Sequence, residues 1–307
     1  LYHFFGGISN MEETKNKYFK VIETVKSILV PLAVFFAFLV VNFSVQFIFS
    51  IAFSAYTAIN NPNLELSKLE SKATDLIYKN ISLMYLIISV AFLLIFILVQ
   101  KKTKFSKVVN LEYKKPAFPV VVMSLLLGTF VGVVLNAGIT IMTKWLPESW
   151  VEGNKESVES FQGGNELIML IAVVICAPIV EELIFRGFIY NGLKKIFNII
   201  PKEPTKKTGL VSMIISAIIT SALFGVYHGN ILQALYTGFL SLFMVWIFEM
   251  SGSLISSMIV HCMFNFAGTP TYYLTNGIGE VASVILCSVL SVIVVIVTYR
   301  ICRIKTE

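Results

Sequence analysis

The sequence predicts an all-α polytopic membrane protein with about eight transmembrane helices. Of its 307 residues, 56% are hydrophobic and only 14% are charged, and the mean hydropathy is +0.81. A soluble globular domain carries about a quarter of its residues as charges. The apolar residues also fall in long blocks, and about 20 apolar residues are needed to cross the hydrocarbon core as a helix. We therefore expect a chain that is integral to a membrane.

Eight apolar blocks can be delimited along the chain. In order, they cover about residues 27–56, 81–100, 117–142, 166–190, 209–227, 231–250, 254–267 and 281–301. The seventh block is short, and only Ser251, Gly252 and Ser253 separate it from the sixth. Residues 1–10, which precede Met11 and include His3, are interpreted as not native and are set aside.

Basic residues are concentrated in every second connection, which predicts the orientation of the chain. They are Lys101, Lys102, Lys104, Lys107, Lys114 and Lys115, then Lys194, Lys195, Lys202, Lys206 and Lys207, and finally Arg300, Arg303 and Lys305. With eight spans, all three groups fall on one side, which the positive-inside rule assigns to the cytoplasm together with both termini. The connections 57–76 and 147–166 lie opposite, and the second is acidic. The net charge of +6 is thus a topology signal and does not indicate nucleic acid.

Apart from Glu249 and Arg300 near the ends of the sixth and eighth blocks, ionisable side chains occur in or next to three of the apolar blocks. Each costs about 2.5–3.5 kcal/mol to place at the centre of a membrane helix, so such residues are functional candidates by default. The fourth block contains Glu181, Glu182 and Arg186, the fifth ends at His228, and the seventh contains His261 followed by Asn265. His228 and His261 are two of only three histidines in the chain.

Helical spacing separates these residues into groups. Glu182 and Arg186 are four residues apart, so they share a face and can form an ion pair that neutralises both charges. Glu181 is rotated by about 100° from Glu182 and has no cation on its own face, which suits a general base or acid. His261 and Asn265 also share a face, and an imidazole and an amide can both donate to an oxyanion.

Only two of the three candidate residues Glu181, His228 and His261 are predicted to lie at a similar depth in the membrane. Glu181 and His261 lie about 14 Å and about 10 Å from the cytoplasmic ends of their blocks, at 1.5 Å per residue. His228 instead lies at the far end of the fifth block. We expect that helix to be shifted, tilted or broken near Gly225 and Gly229.

The three groups form three ordered motifs. They are Glu181-Glu182 with Arg186, Phe224 with His228, and His261 with Asn265. Together they resemble the pattern Glu-Glu-x-x-x-Arg, Phe-x-x-x-His and His-x-x-x-Asn of the CPBP family of membrane proteases, also called Abi or CAAX-processing endopeptidases of the Ras-converting type. The resemblance covers about residues 173–268 and places the active site among the fourth, fifth and seventh helices.

The resemblance implies an intramembrane endopeptidase that hydrolyses a peptide bond. Glu181 and His228 would activate the attacking water, and His261 and Asn265 would stabilise the tetrahedral oxyanion. Membership would divide the chain into a cytoplasmic N-terminal segment 1–26, three helices with their loops at 27–165, a catalytic core at 166–268, and a last helix with a basic tail at 269–307.

The pair of Glu182 and Arg186 would support the site from beside it. The family has been described both as metal-dependent and as glutamate-dependent without a metal. Glu181, His228 and His261 match the composition of a catalytic zinc site with an open position. The chain has no His-Glu-x-x-His motif, and an asparagine is a poor zinc ligand. We therefore favour a mechanism without a cofactor, with zinc as the alternative.

Two other functions remain open from the sequence. A proton-coupled secondary transporter would use Glu181 and His228 as a proton relay, and a non-catalytic family member would bind a peptide and confer immunity. For the protease, we expect membrane lipid and a membrane-associated peptide or protein, lipidated or not, as partners, and no nucleic acid. The abundance of Ile, Lys, Asn and Phe favours a bacterial cell membrane as the location.

Overall fold

The computed structural model describes residues 2–111, 114–160, 164–199 and 205–304, without the side chains of 2–14, 16, 158, 160, 269 and 304. All regular structure in these ranges is helical. The predicted all-α class is thereby confirmed. Two of the basic residues used to predict orientation, Lys202 and Lys305, lie outside the described residues, as does the side chain of His3.

Eleven helices are numbered here in chain order within the described ranges. The first five are α1 (Tyr2–Asn60), α2 (Leu66–Lys79), α3 (Ile81–Thr103), α4 (Phe118–Met142) and α5 (Glu148–Ser160). The others are α6 (Glu166–Ile199), α7 (Lys206–Tyr227), α8 (Ile231–Ser251), α9 (Leu254–Phe266), α10 (Gly268–Ile278) and α11 (Glu280–Ile304). A short 3₁₀ segment, Phe105–Val109, follows α3.

Seven of these helices are long and apolar enough to cross a membrane: α1 over Lys17–Asn60, α3, α4, α6, α7, α8 and α11. The chain is thus an integral membrane protein. The eighth predicted span corresponds to α9, which has 13 residues. At 1.5 Å per residue it is about 20 Å long, shorter than the roughly 30 Å hydrocarbon core. The next helix, α10, begins only two residues after α9 ends.

The expected loops on the acidic side are largely helical. Connection 57–76 contains the end of α1 and most of α2, and connection 147–166 contains α5. The expected basic loop after the fourth span is also partly helical, because α6 continues to Ile199 and includes Lys194 and Lys195. Lys194 forms an ion pair of 2.6 Å with Glu249, and Lys195 one of 2.5 Å with Glu23. These contacts to α8 and α1 stabilise the extra turns.

The bundle has two distinct ends. The lysine-rich end, as we call it, comprises the C-termini of α3 and α6 and the N-termini of α4 and α7. At this end the Ser253 hydroxyl, just before α9, donates to the carbonyl of Lys114 at 2.5 Å. The opposite end, the α5 end, carries the C-termini of α4 and α7, the N-termini of α6 and α8, and α5 itself.

Two glycines let α4 approach α9 closely. A Cβ atom at Gly128 would collide with the backbone carbonyl of Val260, and one at Gly132 would collide with the side chain of Ala267. The spacing Gly-x-x-x-Gly is typical of close helix–helix contacts in membranes, where packing rather than the hydrophobic effect drives association. This contact fixes the helix that bears His261 and Asn265.

Candidate active site

A single cavity of about 650 Å³ contains the four predicted catalytic residues, Glu181, His228, His261 and Asn265. They come from three separate parts of the chain: the middle of α6, the turn after α7, and α9. The Glu181 side chain is 15% exposed and that of His261 only 3%, so the protein largely encloses both. The tertiary structure therefore brings the predicted set together.

The two glutamates lie on an irregular stretch of α6. One α-helical turn, Ala177–Glu182, is flanked by π-helical segments at Leu170–Cys176 and Leu183–Tyr190. Wide π turns are frequent at functional sites, and they leave backbone groups and side chains off the regular helical register. Pro178 contributes to the distortion, since it has no backbone N–H to donate.

Glu182 is fully buried and holds three donors. Arg186 Nη1 donates to its Oε1 at 2.7 Å, His261 Nδ1 lies 2.9 Å from the same oxygen, and the Ser257 hydroxyl donates to Oε2. The predicted pairing of Glu182 with Arg186 is thus present in the structure. The hydrogen bond to His261 was not predicted, because no sequence spacing relates α6 to α9.

His261 lies between two neighbouring carboxylates. Its Nδ1 faces Glu182, and its Nε2 lies 3.6 Å from Oε2 of Glu181. A carboxylate accepting from Nδ1 fixes the tautomer and orientation of the ring. The Nε2 atom is then the one that faces Glu181 and the cavity.

Arg186 is buried at 0% exposure and has two further contacts. Its Nη2 donates to the Ser241 hydroxyl at 2.6 Å, and the guanidinium lies 4.4 Å from the centre of the Phe224 ring. Phe224 in turn packs edge-on against both His228 (4.8 Å) and His261 (5.6 Å) between ring centres. Phe224, the first residue of the second motif, thus contacts the guanidinium and both imidazoles.

The position of His228 in the structure explains how a residue at the far end of α7 can reach the same cavity as Glu181 and His261. The helix α7 ends at Tyr227, and Gly229 turns the chain with a positive φ of +83°. His228 Nδ1 lies 2.8 Å from the carbonyl oxygen of Phe224, one turn earlier. Because a carbonyl only accepts, Nδ1 carries the proton and the lone pair of a neutral ring is on Nε2. The side chain therefore folds back toward the middle of the bundle, and no break or shift of the helix is needed.

Asn265 is held by a carbonyl that the irregular helix leaves available. The N–H of Ala177 donates to the carbonyl of Ala172, five residues earlier. The same pattern would pair the Val173 carbonyl with residue 178, which is a proline and has no N–H. Instead, Asn265 Nδ2 donates to the Val173 oxygen at 2.8 Å. This bond fixes the amide beside the cavity with its second N–H still available.

The zinc alternative would require three ligand side chains to converge on one point. Among the described residues, which include Glu181, His228 and His261, no group of three His, Cys, Asp or Glu side chains converges closely enough to hold a metal ion. Nδ1 of each imidazole faces an oxygen of the protein, which leaves Nε2 as the atom that would meet a water or a metal.

Several residues near the site were missed by the motifs. Ser241 and Ser257 were overlooked because isolated serines are common on membrane helices. Of the two, Ser257 could have been found from the sequence, because it precedes His261 by four residues and so shares its helix face. The cavity wall also includes Tyr85 and Tyr227; Tyr227 packs edge-on against His228 at 5.5 Å.

Comparison with known families agrees with the motifs. Residues 163–267 match the family model described as Type II CAAX prenyl endopeptidase Rce1-like. The segment contains all six predicted site residues, and it leaves out α1 to α5, α10 and α11. No curated protein and no solved structure matches the chain. The resemblance to the CAAX-processing endopeptidases is thereby confirmed over this segment, and it indicates an intramembrane endopeptidase that acts on a peptide or protein.

Proposed function

We propose that this protein hydrolyses a peptide bond inside the membrane with a water molecule activated by Glu181 and His228. The single observation that carries the proposal is the convergence of Glu181, His228, His261 and Asn265 on one cavity. The family match adds weight to it because the matched segment contains all four residues. In this proposal the positive-inside rule orients the protein, so that the lysine-rich end and both termini lie on the cytoplasmic side.

Water activation rests on the two acceptors that face the cavity. Glu181 offers a carboxylate, and His228, with its proton fixed on Nδ1, offers the lone pair of Nε2. A water held between them gives up one proton as its oxygen attacks the carbonyl carbon. When the C–N bond breaks, that proton passes to the leaving amine, so the products are one carboxylic acid and one amine.

Oxyanion stabilisation is assigned to His261 and Asn265. Asn265 supplies the N–H that is not bound to Val173. His261 already gives its Nδ1 proton to Glu182, so it donates to an oxyanion only when Nε2 is also protonated. The charges of Arg186 and of the imidazolium would then balance those of Glu181 and Glu182, so the buried cluster would carry no net charge.

The proposal is tested with purified protein in lipid nanodiscs and a library of quenched fluorescent peptides. Wild type is compared with Glu181→Gln and His228→Gln, and each variant should lose at least 100-fold in kcat/KM. Glu249→Gln is the matched control, because Glu249 is a partly buried glutamate that pairs with Lys194 and does not line the cavity. Cleavage that persists in both cavity variants would overturn the proposal.

A further inference from the structure

The helix α5 forms one wall of the cavity that contains the proposed catalytic residues. Asn154 and Ser157 of this helix line the cavity at the α5 end, next to Gln233 of α8. With 13 residues, α5 is too short to cross a membrane. Because the protein largely encloses Glu181 and His261, a peptide reaches them only when an element of the wall gives way. The attachment of α5 decides whether it is that element.

The sequence of α5 makes it a weak helix. Isolated helices shorter than about 12–15 residues are marginal in water, and Gly153 in the interior of α5 lowers its helix propensity further. Glu148 in the first turn is favourable, but Glu159 lies in the last turn, where the helix dipole disfavours negative charge. The helix therefore depends on contacts with the rest of the bundle to stay folded and in place.

The contacts that hold α5 in place are shallow and polar. None of its described side chains is buried, and none belongs to the hydrophobic core of the bundle. Its main packing partner is α8, where the Ser157 hydroxyl donates to Gln233 Oε1 at 3.1 Å. The same Gln233 side chain also bonds Asn230 and Tyr236. Polar contacts of this kind exchange for water at little net cost, so α5 belongs to the low-stability part of the fold.

Docking of α5 also leaves one polar group unsatisfied. Asn154 Oδ1 is buried and has no partner among the described residues. A buried acceptor without a hydrogen bond destabilises the docked position, whereas water reaches this oxygen once α5 moves away.

The elements on either side of α5 are fixed more firmly. Before it, α4 is held against α9 through Gly128 and Gly132. After it, Gly164 has a φ of +95°, and a Cβ atom there would collide with the Ser82 hydroxyl and the Lys79 carbonyl. Between these two anchors, α5 can move as a unit without disturbing the packing of the bundle.

We propose that α5 is a lid, which closes the α5 end of the cavity when it docks on the first turn of α8 and moves away to admit the peptide substrate. The inference goes beyond the proposed endopeptidase function and rests on it only for the identity of the ligand. Access to the cavity does not depend on the chemistry inside it.

A disulfide between α5 and α8 tests the lid. A Cβ atom at Gly153 would lie 3.9 Å from Cβ of Asn230, close to the Cβ separation of about 3.8 Å in disulfides. The double variant Gly153→Cys/Asn230→Cys is oxidised in lipid nanodiscs by air with copper phenanthroline, and the bond is verified by mass spectrometry. We expect kcat/KM for a quenched fluorescent peptide to fall at least 10-fold on oxidation and to return with dithiothreitol.

The two single variants, oxidised in the same way, are the controls. They retain the native cysteines, and Asn230→Cys alone also removes the side chain that accepts from the Gln233 N–H at the start of α8. The effect of the crosslink is the loss of activity beyond that of the single variants. A crosslinked double variant that keeps more than half of its reduced activity would overturn the inference.

A labelling experiment separates the lid from the proposed catalysis. Ser89 of α3 lines the cavity and is 5% exposed, so Ser89→Cys is added to the double variant and its reaction with fluorescein maleimide is followed by peptide mass spectrometry. The crosslink should slow this reaction at least 5-fold, whereas Ser67→Cys, at an exposed position of α2, should react at an unchanged rate.

The two experiments fail in different ways. If wild type cleaves no peptide but the crosslink slows labelling at position 89, the catalytic proposal fails and the lid stands. Equal labelling rates at that position with and without the crosslink would overturn the lid, whatever the result for cleavage.

Discussion

Oε1 of Glu182 lies 2.9 Å from Nδ1 of His261, which joins the structural carboxylate of α6 to an imidazole of the cavity. The same oxygen also accepts from Arg186 at 2.7 Å. Glu182 therefore fixes the tautomer of His261 while it neutralises a buried arginine. The residue that the sequence assigned to a supporting ion pair is also a positioning residue for the proposed oxyanion site.

Glu182→Gln tests this link. Without the negative charge, His261 loses its orienting acceptor, and we expect kcat to fall on the order of 100-fold or more with KM changed less than 3-fold. A buried arginine left without its anion costs about 3–5 kcal/mol, so kinetics are measured on the folded fraction isolated by size-exclusion chromatography. A kcat above half of the wild-type value in that fraction would show that His261 does not depend on Glu182.

The pH response of His228 follows from its position in the turn between α7 and α8. Burial lowers the pKa of this imidazole below its ordinary value of about 6.5, with the nearby Glu181 carboxylate opposing the shift. A lowered pKa keeps the ring neutral at more acidic pH, so the acid limb of kcat/KM set by this base should lie below pH 6.5. Folding stability should fall as pH drops below 6.5, because the unfolded chain then binds more protons.

The measurement is an NMR titration of histidine ring signals in detergent, which is tractable because the chain has only three histidines. His228→Gln assigns the signal. A midpoint above 6.5 for that signal would refute the expected direction.

Pro178→Ala tests the origin of the Asn265 contact. Alanine restores an N–H that can donate to the Val173 carbonyl, which would compete with Asn265 Nδ2 for the same oxygen. We expect kcat to fall several-fold and the thermal unfolding temperature to stay the same or rise, since proline inside a helix is destabilising. A variant with wild-type kcat would indicate that holding Asn265 at this carbonyl is not needed for cleavage.

Gly128→Ala tests the packing of α4 on α9. The added Cβ would collide with the Val260 carbonyl, a backbone group that cannot rotate away, and overpacking of this kind costs about 1–3 kcal/mol. Gly138→Ala on the same helix is the control, because a Cβ there meets no atom within 4 Å. The measurement is the thermal unfolding temperature of both variants. Equal temperatures would mean that α4 and α9 can move apart without loss of stability.

Removal of bound metal with a chelator tests whether cleavage depends on a metal ion. Because no described group of three His, Cys, Asp or Glu side chains is arranged to bind a metal, incubation with a strong zinc chelator should leave kcat/KM within 2-fold of the untreated enzyme. Elemental analysis of the purified protein provides the independent readout. Loss of cleavage on chelation that zinc restores would favour the alternative set of Glu181, His228 and His261.

The sequence by itself determined the membrane class, most helix boundaries and the identity of the polar residues. Those properties are local: hydrophobic length sets a span, and an ionisable residue in an apolar block is visible without coordinates. The pairing of Glu182 with Arg186 is also a local property, because two side chains four residues apart on one helix lie on the same face.

Only the tertiary structure decided how the three motifs meet. The bond from Glu182 to His261 and the contacts of Arg186 with Ser241 and Phe224 all join different helices, and no spacing along the chain encodes them. The fold-back of His228 and the free carbonyl of Val173 depend on hydrogen bonds that a regular helix pattern does not predict. Helix packing, set in part by Gly128 and Gly132, converts three separate motifs into one cavity.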